Sequence, residues 1–331
     1  MQIAQKVVYL QKTITHIMST AITISAASSV SLASDLSMVL DSFLKSQDVK
    51  ESSRQLYKRT LHQFFGWVER KGYAISSLAR PQLIEFKEDL GRDGKSSLTI
   101  GSYLTSVRKF YEWTEAEKVY PNIAKAIKTP KRKQQYRKQP LTPSQASALL
   151  ASVEATGNTR DFALINLLLR TGLRTIEVIR ANVGDITMKG GERVLMIQGK
   201  GRDEKDNFVV LTDKAYQPIA AYLRERGNTP DFAPLFISTS HNNTGGRLTT
   251  RTISYIAKES LKSIGLDDKA YTAHSLRHTA GVSILRAGGS LRDAQLTLRH
   301  ANPATTQIYV ATIDEEVRLH NAGERKIDSL F

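Results

Sequence analysis

The sequence predicts a mainly α-helical chain with a small β-sheet, built as an all-α N-terminal domain followed by a mixed α/β domain. Three observations predict it: two amphipathic helical faces in the first third, a basic proline-containing break near residue 130, and two short β-rich runs among helical patterns beyond it. A length of 331 residues also favours two domains over one.

Residues 1–34 place Lys6 and Lys12 ahead of "AITISAASSVSLAS", which imitates a secretory signal. The stretch is too rich in Ser and Thr to supply an apolar h-region. It reads as a disordered leader, or as sequence before a start at Met18. From Asp35 the pattern turns helical. Tyr57, Leu61, Phe64, Phe65 and Val68 fall on one helix face, with Ser52 or Ser53 as cap and Gly72 as stop. A second face is Ile100, Leu104, Val107 and Tyr111, with Ser96 or Ser97 before it. With Asp35 to Ser46 and Arg80 to Leu90, about four helices make a small domain over residues 35–126. Arg54, Lys58, Arg59, Arg108 and Lys109 lie off the apolar faces, where they can meet phosphates or form an ordinary solvated face.

Residues 127–140 include "KTPKRKQQYRKQP", with six basic residues, two prolines and no acid. This reads as an extended linker whose Lys131, Arg132 and Lys133 suit a DNA backbone. Thr142, Pro143 and Gln145 then form a capping box that opens a second domain, residues 141–331. Helical patterns run over Ser144 to Val153 and Arg160 to Leu169, Gly172 breaks the second, and Thr175 begins another. "RVLMIQ" and "NFVVL", separated by "GKGRDEKD", signal a hairpin with a long loop. Helices follow at about Lys214 to Arg226, Thr249 to Ile264, Ser275 to Ala287 and Leu291 to Leu298, with one more expected after Tyr309.

Forty-seven Lys plus Arg against thirty-two Asp plus Glu give a net charge of +15, which points to a polyanion, most often nucleic acid. The absence of cysteine excludes disulfides, thiolate catalysis and cysteine zinc sites, and suits a reducing cytoplasm. No apolar run approaches the roughly 20 residues of a membrane span. His274, His278 and His300 have no carboxylate or further ligand at helical ligand spacing, so neither a metal nor another cofactor is expected.

Taken singly, the polar candidates have plain structural readings: Arg174 can pair with Glu177 three residues on, Lys200 can be a solvated hairpin residue, and Tyr309 a packed aromatic. Together, two arginines, a lysine, two histidines and a tyrosine are the groups that phosphodiester transesterification needs without a metal. Guanidinium forks meet the charge that builds on the non-bridging oxygens. A tyrosine hydroxyl needs cations and a base to ionise, and the departing 5′ oxygen needs a proton.

The order and local sequence of these groups resemble the tyrosine recombinase (phage integrase) family. "TGLRTIEV" supplies Arg174 with Glu177 as supporting acid, "GKG" supplies Lys200, "HSLRHTAG" supplies His274 and Arg277, and His300 precedes Tyr309 by nine residues. The likeness spans roughly Leu141 to Tyr309, and the helical domain with its linker resembles the family's SAM-like core-binding domain. The resemblance implies that Arg174 and Arg277 clamp the scissile phosphate, with His300 adding a hydrogen bond. It further implies that His274 accepts the tyrosine proton, Lys200 protonates the leaving 5′ hydroxyl and Tyr309 forms a 3′-phosphotyrosine without ATP. The implied partner is double-stranded DNA with an inverted-repeat core site, bound by a dimer per site and a tetramer in the synapse, in the cytoplasm at the nucleoid.

Two departures qualify the likeness. Arg299 stands in "LRH" where the family has a helix-ending glycine, so a different local turn and an extra phosphate contact are expected. The loop after Lys200 is longer than usual, which makes Lys205 the alternative general acid. Arg251, near a helix start, is a further DNA-contact candidate. The apolar Ile327, Leu330 and Phe331 suit a tail docking on a neighbouring protomer or back on its own domain. A type IB-like topoisomerase and a catalytically inactive DNA-binding regulator are the competing readings. Between a mobile-element enzyme and a Xer-type housekeeping recombinase, the leader and the departures favour the first.

Overall fold

A computed structural model describes residues 28–131, 138–199, 204–328 and 330, the side chains of 28–35 and 326 excepted. These residues form two compact units, one on either side of the segment 132–137. Mainly helical structure with one small sheet is observed, as expected.

The first unit holds α1 (Ser28–Ser46), α2 (Glu51–Arg70), α3 (Arg80–Arg92) and α4 (Ser97–Ala116). Both faces legible in the sequence are interior. Leu61, Phe64, Phe65 and Val68 of α2, and Ile100, Leu104, Val107 and Tyr111 of α4, are buried in one aromatic-rich core with Phe43, Phe86 and Phe110. Phe43 meets Phe110 edge-on at 5.5 Å, and Phe64 meets Phe86 at 5.0 Å, geometries that stabilise aromatic cores beyond their area. Two expectations shift here. The backbone is helical from Ser28, so a leader ending at residue 34 overlaps α1. The Ser- and Ala-bearing run contains no Gly or Pro to stop the helix. α2 begins at Glu51, which puts Ser52 and Ser53 inside its first turn, and Lys50 holds the cap position without a side-chain cap bond. Gly72, at φ +70°, does end that helix region.

The second unit holds α5 (Pro143–Glu154), α6 (Thr159–Thr171), α7 (Thr175–Arg180), α8 (Asp213–Arg226), α9 (Thr250–Lys262), α10 (Ala273–Arg286), α11 (Leu291–Leu298), α12 (Gln307–His320) and α13 (Gly323–Asp328). The Thr142 capping box forms: the Gln145 amide donates to Thr142 Oγ1 at 3.2 Å, and the Thr142 amide donates to Gln145 Oε1 at 2.9 Å. α6 is the central helix, with Ala163, Leu164, Ile165, Leu167 and Leu168 all buried. Its packing against α8 and α10 fixes the elements that carry the polar residues discussed below.

The sheet has three antiparallel strands in the order β1 (Ile186–Lys189), β2 (Glu192–Ile197), β3 (Asn207–Val210), where two were expected. β1 escaped notice because only Ile186 is even half-buried, so no alternation marks it. Its signal was the Gly190-Gly191 turn, with φ of +59° and +83°, pairing Lys189 with Glu192. The C-terminal helix expected after Tyr309 begins at Gln307 and contains that tyrosine. Arg299 caps α11 at φ 55°, ψ 47°. The different turn expected from an arginine there is not found; the chain adopts the left-handed conformation that glycine would take.

Candidate active site

The turn between α6 and α7 starts the site. Gly172 ends α6 in the left-handed region, at φ 59°. A Cβ there would lie 2.4 Å from Leu298 Cδ2 and 3.2 Å from Ala280 Cβ, so the close approach of α10 and α11 also requires glycine. Two residues on, Arg174 occupies the N-cap of α7 in extended conformation. Its amide donates to Glu177 Oε2 and its Nη1 to Glu177 Oε1, both at 2.8 Å. Glu177 is 1% exposed and also accepts from Arg299 Nη2 at 2.9 Å. Burial by itself would raise the Glu177 carboxyl, but the Arg299 charge together with the Arg174 amide and guanidinium holds it below its usual value.

Arg277, on the second turn of α10, is 2% exposed. Its guanidinium donates to the carbonyls of Gly172 and Leu298, which close α6 and α11. One side chain therefore ties three helices together while leaving further N–H groups for an anion. Burial, and then the charges of Arg174 and Arg299, lower its pKa to about 10, so it stays a cation at neutral pH. Arg174, His274, Arg277 and Thr272 line a cavity of about 310 Å³ with Leu173 and Ser254. The first turn of α10 opens at this cavity, and unpaired amides at a helix start favour anions.

The second part of the site surrounds Tyr309, which is 2% exposed in the first turn of α12. The His278 ring meets it edge-on at 5.3 Å, and the His300 ring stacks on it at 6.1 Å. His274 contacts His278 at 4.8 Å, so the three rings His274, His278 and Tyr309 run in series along one face of α10. His300 Nδ1 shares a hydrogen bond with Thr306 Oγ1 at 2.9 Å. Burial, assisted by nearby cations, pushes His278 and His300 down to about 4 and His274 below its ordinary value. All three rings are neutral near pH 7. Burial raises the Tyr309 hydroxyl, while Arg277 and Arg174 act in the opposite sense. A neutral base, a tyrosine and two arginines thus share one unit of one chain. This arrangement can receive a phosphodiester and present it to a nucleophile.

The structure brings together Arg174, Glu177, His274, Arg277, His300 and Tyr309. Lys200 lies outside the described residues, as do Arg132, Lys133 and Phe331. Lys205 is committed elsewhere, its Nζ 2.7 Å and 2.5 Å from the two oxygens of Asp185. The base of the loop that leads to Lys200 is held by Arg180, whose Nη1 donates to the Gly199 carbonyl at 3.1 Å. Arg54 spends its donors on Leu44 O, Gln47 O and Glu51, and Arg108 donates to Ile127 O at 2.7 Å. Lys109 pairs with Glu112 at 2.7 Å. Lys58, Arg59, Lys131 and Arg251 are exposed, as are Ile327 and Leu330 of the tail.

Sequence reasoning weighed His278 only as a metal ligand, and left out its place beside Tyr309, along with Gly281, Thr306 and the pairing of Arg299. Of these, His278 carried a usable signal, four residues after His274 and so on the same helix face. Among the described residues no helix is long and apolar enough to cross a membrane.

A chain whose second unit groups arginines, histidines and a buried tyrosine has the make-up of a phosphodiester-transferring enzyme. Comparison with known proteins specifies the class. The family model described as "Phage integrase family" matches residues 139–316, more than half of the chain, and "Phage integrase, N-terminal SAM-like domain" matches residues 40–118. The chain belongs to the phage integrase family, the tyrosine recombinases.

Tyrosine recombinase XerC of Pelobacter propionicus is 31% identical over 277 residues, covering 82% of this chain and 88% of that protein. XerC of Caldanaerobacter subterraneus is 32% identical over 220 residues, 65% of this chain and 59% of that protein. Among solved structures, the XerH site-specific recombinase bound to a palindromic difH substrate shares the fold, with a TM-score of 0.67 at 19% identity over 96% of this chain and 95% of that one.

Proposed function

We propose that this chain is a site-specific DNA recombinase in which Tyr309 attacks the scissile phosphate and holds a 3′-phosphotyrosine. The observation that carries the reading is the seating of Tyr309 against His278 and His300, in the field of Arg277 and Arg174 of the same chain.

In this reading Arg174 and Arg277 bind the non-bridging oxygens and stabilise the charge that grows on them in the pentacoordinate transition state. His274, neutral near pH 7, accepts the tyrosine proton as the O–P bond forms, and His300 donates a hydrogen bond to the phosphate. The P–O5′ bond breaks as Lys200 gives a proton to the leaving oxygen. Attack by a 5′ hydroxyl from another strand reverses these steps and releases Tyr309. One phosphodiester replaces another, so ATP is not required. The net charge of +15 suits double-stranded DNA as partner, with two protomers on an inverted-repeat core site and four in the synapse. The favoured task is integration and excision of a mobile element.

Trapping tests this. Cells expressing wild type or Tyr309→Phe are denatured rapidly in detergent, and protein-linked DNA is recovered and its ends sequenced. Adducts at one or a few paired inverted motifs, present only with Tyr309, are expected. Adducts persisting in the Phe variant would overturn the nucleophile assignment. Dispersed adducts would mean resealing without strand exchange, the topoisomerase reading. DNA binding with no adduct in either strain would mean a regulator.

A further inference from the structure

Arg299 is unfavourable to the backbone that carries it. It sits at φ 55°, ψ 47°, where glycine rests freely and side chains are strained. Its side chain is only 9% exposed, so the guanidinium does not compensate by reaching water. What it does is pair with Glu177. We propose that Arg299 is a positioning residue that acts through Glu177, keeping that carboxylate paired while the Arg174 guanidinium transfers from it to the scissile phosphate. The inference rests on the phosphate-binding role of Arg174 given above.

The geometry separates the two arginines on the carboxylate. Oε2 accepts from Arg299 Nη2 at 2.9 Å and from the Arg174 amide at 2.8 Å. Oε1 accepts from Arg174 Nη1 at 2.8 Å. Departure of the Arg174 guanidinium therefore frees one oxygen and leaves the other with a charge-assisted bond. A fully buried carboxylate stripped of its cations is strongly disfavoured. Without Arg299, Arg174 would be the only cation paired with Glu177 among the described residues, and the carboxylate would hold it back from substrate. With Arg299, two guanidiniums share one carboxylate and one positive charge is in surplus. Arg299 is itself anchored by a hydrogen bond from Nη1 to the Thr297 carbonyl, so it stays in place as Arg174 moves. Arg174 is the mobile partner: its side chain is 32% exposed and lines the cavity.

The test uses purified full-length wild type, Arg299→Gly, Glu177→Gln, the double variant and Arg174→Ala, on a duplex bearing the sequence recovered by trapping. Melting temperature, duplex Kd and the rate of covalent attachment are measured. Arg299→Gly is expected to melt close to the wild-type temperature, because relief of the left-handed residue offsets the loss of its buried pair with Glu177. It should bind the duplex normally and attach up to about 100-fold more slowly, the scale of a misplaced catalytic group. In the Glu177→Gln background the same change should cost less than about twofold, since a neutral amide does not retain Arg174.

Attachment by Arg299→Gly at the wild-type rate would overturn the proposal. So would losses that simply multiply in the double variant, or a fall in melting temperature that accounts for the lost rate. Failure of the underlying reading shows elsewhere: wild type that attaches no DNA, or Arg174→Ala that attaches normally, overturns the phosphate-binding role and this inference with it.

Discussion

Gly281 and Tyr309 are in direct contact: a Cβ built on Gly281 would lie 2.7 Å from Tyr309 Cε2 and 2.9 Å from Cζ. α10 and α12 approach this closely because position 281 lacks a side chain. Gly281→Ala should raise the intrinsic helix propensity of α10 by about 1 kcal/mol and lose a similar amount to crowding. Stability should change little, whereas displacement of the tyrosine should slow covalent attachment about 100-fold. Melting curves and attachment rates of the same preparation check this; a normal rate would count against attack by Tyr309 from this seat.

Arg277 has a structural task in addition to its proposed chemical one, and two variants grade the structural part. Arg277→Ala leaves the Gly172 and Leu298 carbonyls without their buried donor, a loss on the order of 3 kcal/mol, and in the proposed mechanism also removes a cation from the scissile phosphate. Arg277→Lys keeps the charge but cannot reach two carbonyls with a fork. Both should abolish attachment. In thermal melts the lysine variant should fall between wild type and the alanine variant.

Acid should weaken this fold through its histidines. His278 and His300 are pushed down to about 4, by burial first and then by neighbouring cationic groups, against about 6.5 in an unfolded chain. Between those values the unfolded chain binds more protons than the folded one. Stability is therefore full above about pH 6.5 and is lost as pH falls toward 4. For His278, the more deeply set of the two, the loss from pH 7 to pH 5 is on the order of 2 kcal/mol. Melting temperature should fall over that interval, and less steeply in His278→Phe, which keeps a ring against Tyr309.

How much of this was legible in the sequence varies with the kind of signal. The α2 and α4 faces could be read because a buried stripe recurs every three or four residues, and the Thr142 box because its two hydrogen bonds are local. Arg174, His274, Arg277 and Tyr309 could be read because motif order and spacing are linear properties. β1 could not, since a four-residue strand with one half-buried side chain has no period. The Arg299–Glu177 pair joins residues 122 apart, and nothing local announces it. The expected change of turn at Arg299 failed for a related reason: backbone preference argued against a left-handed arginine, and a distant carboxylate holds its side chain there. Lys205 stood as the alternative general acid because its ion-pair partner, Asp185, lies 20 residues upstream and nothing local announces it.

The lysines of the β2–β3 loop offer a direct comparison. Lys205 forms an ion pair with Asp185, whose Oδ2 also accepts the Asn182 amide at 2.6 Å. Lys205→Ala should therefore loosen the loop and slow attachment only modestly. Lys200→Ala should slow it strongly on ordinary DNA, yet attach normally to a substrate whose leaving group is a 5′-thiol, which needs no proton. Rescue of Lys205→Ala instead would move the general acid to that residue.

Among the basic residues of the first unit, burial of the donors divides two roles that look alike in sequence. Arg54 joins the end of α1 to the start of α2 through the carbonyls of Leu44 and Gln47, and Arg108 secures the carbonyl of Ile127. Their alanine variants strand acceptors that water must reach, so melting temperature should drop by an amount equivalent to about 1 kcal/mol each. Lys58 and Arg59 are exposed on α2, so their removal should leave melting unchanged. If they meet phosphates, each alanine variant should weaken binding to all duplexes alike and reduce the slope of log K against log salt by about one. Should Lys58→Ala and Arg59→Ala leave the slope unaltered, the face of α2 they occupy is solvated in the complex, and the contacts of this unit with DNA must come from another helix.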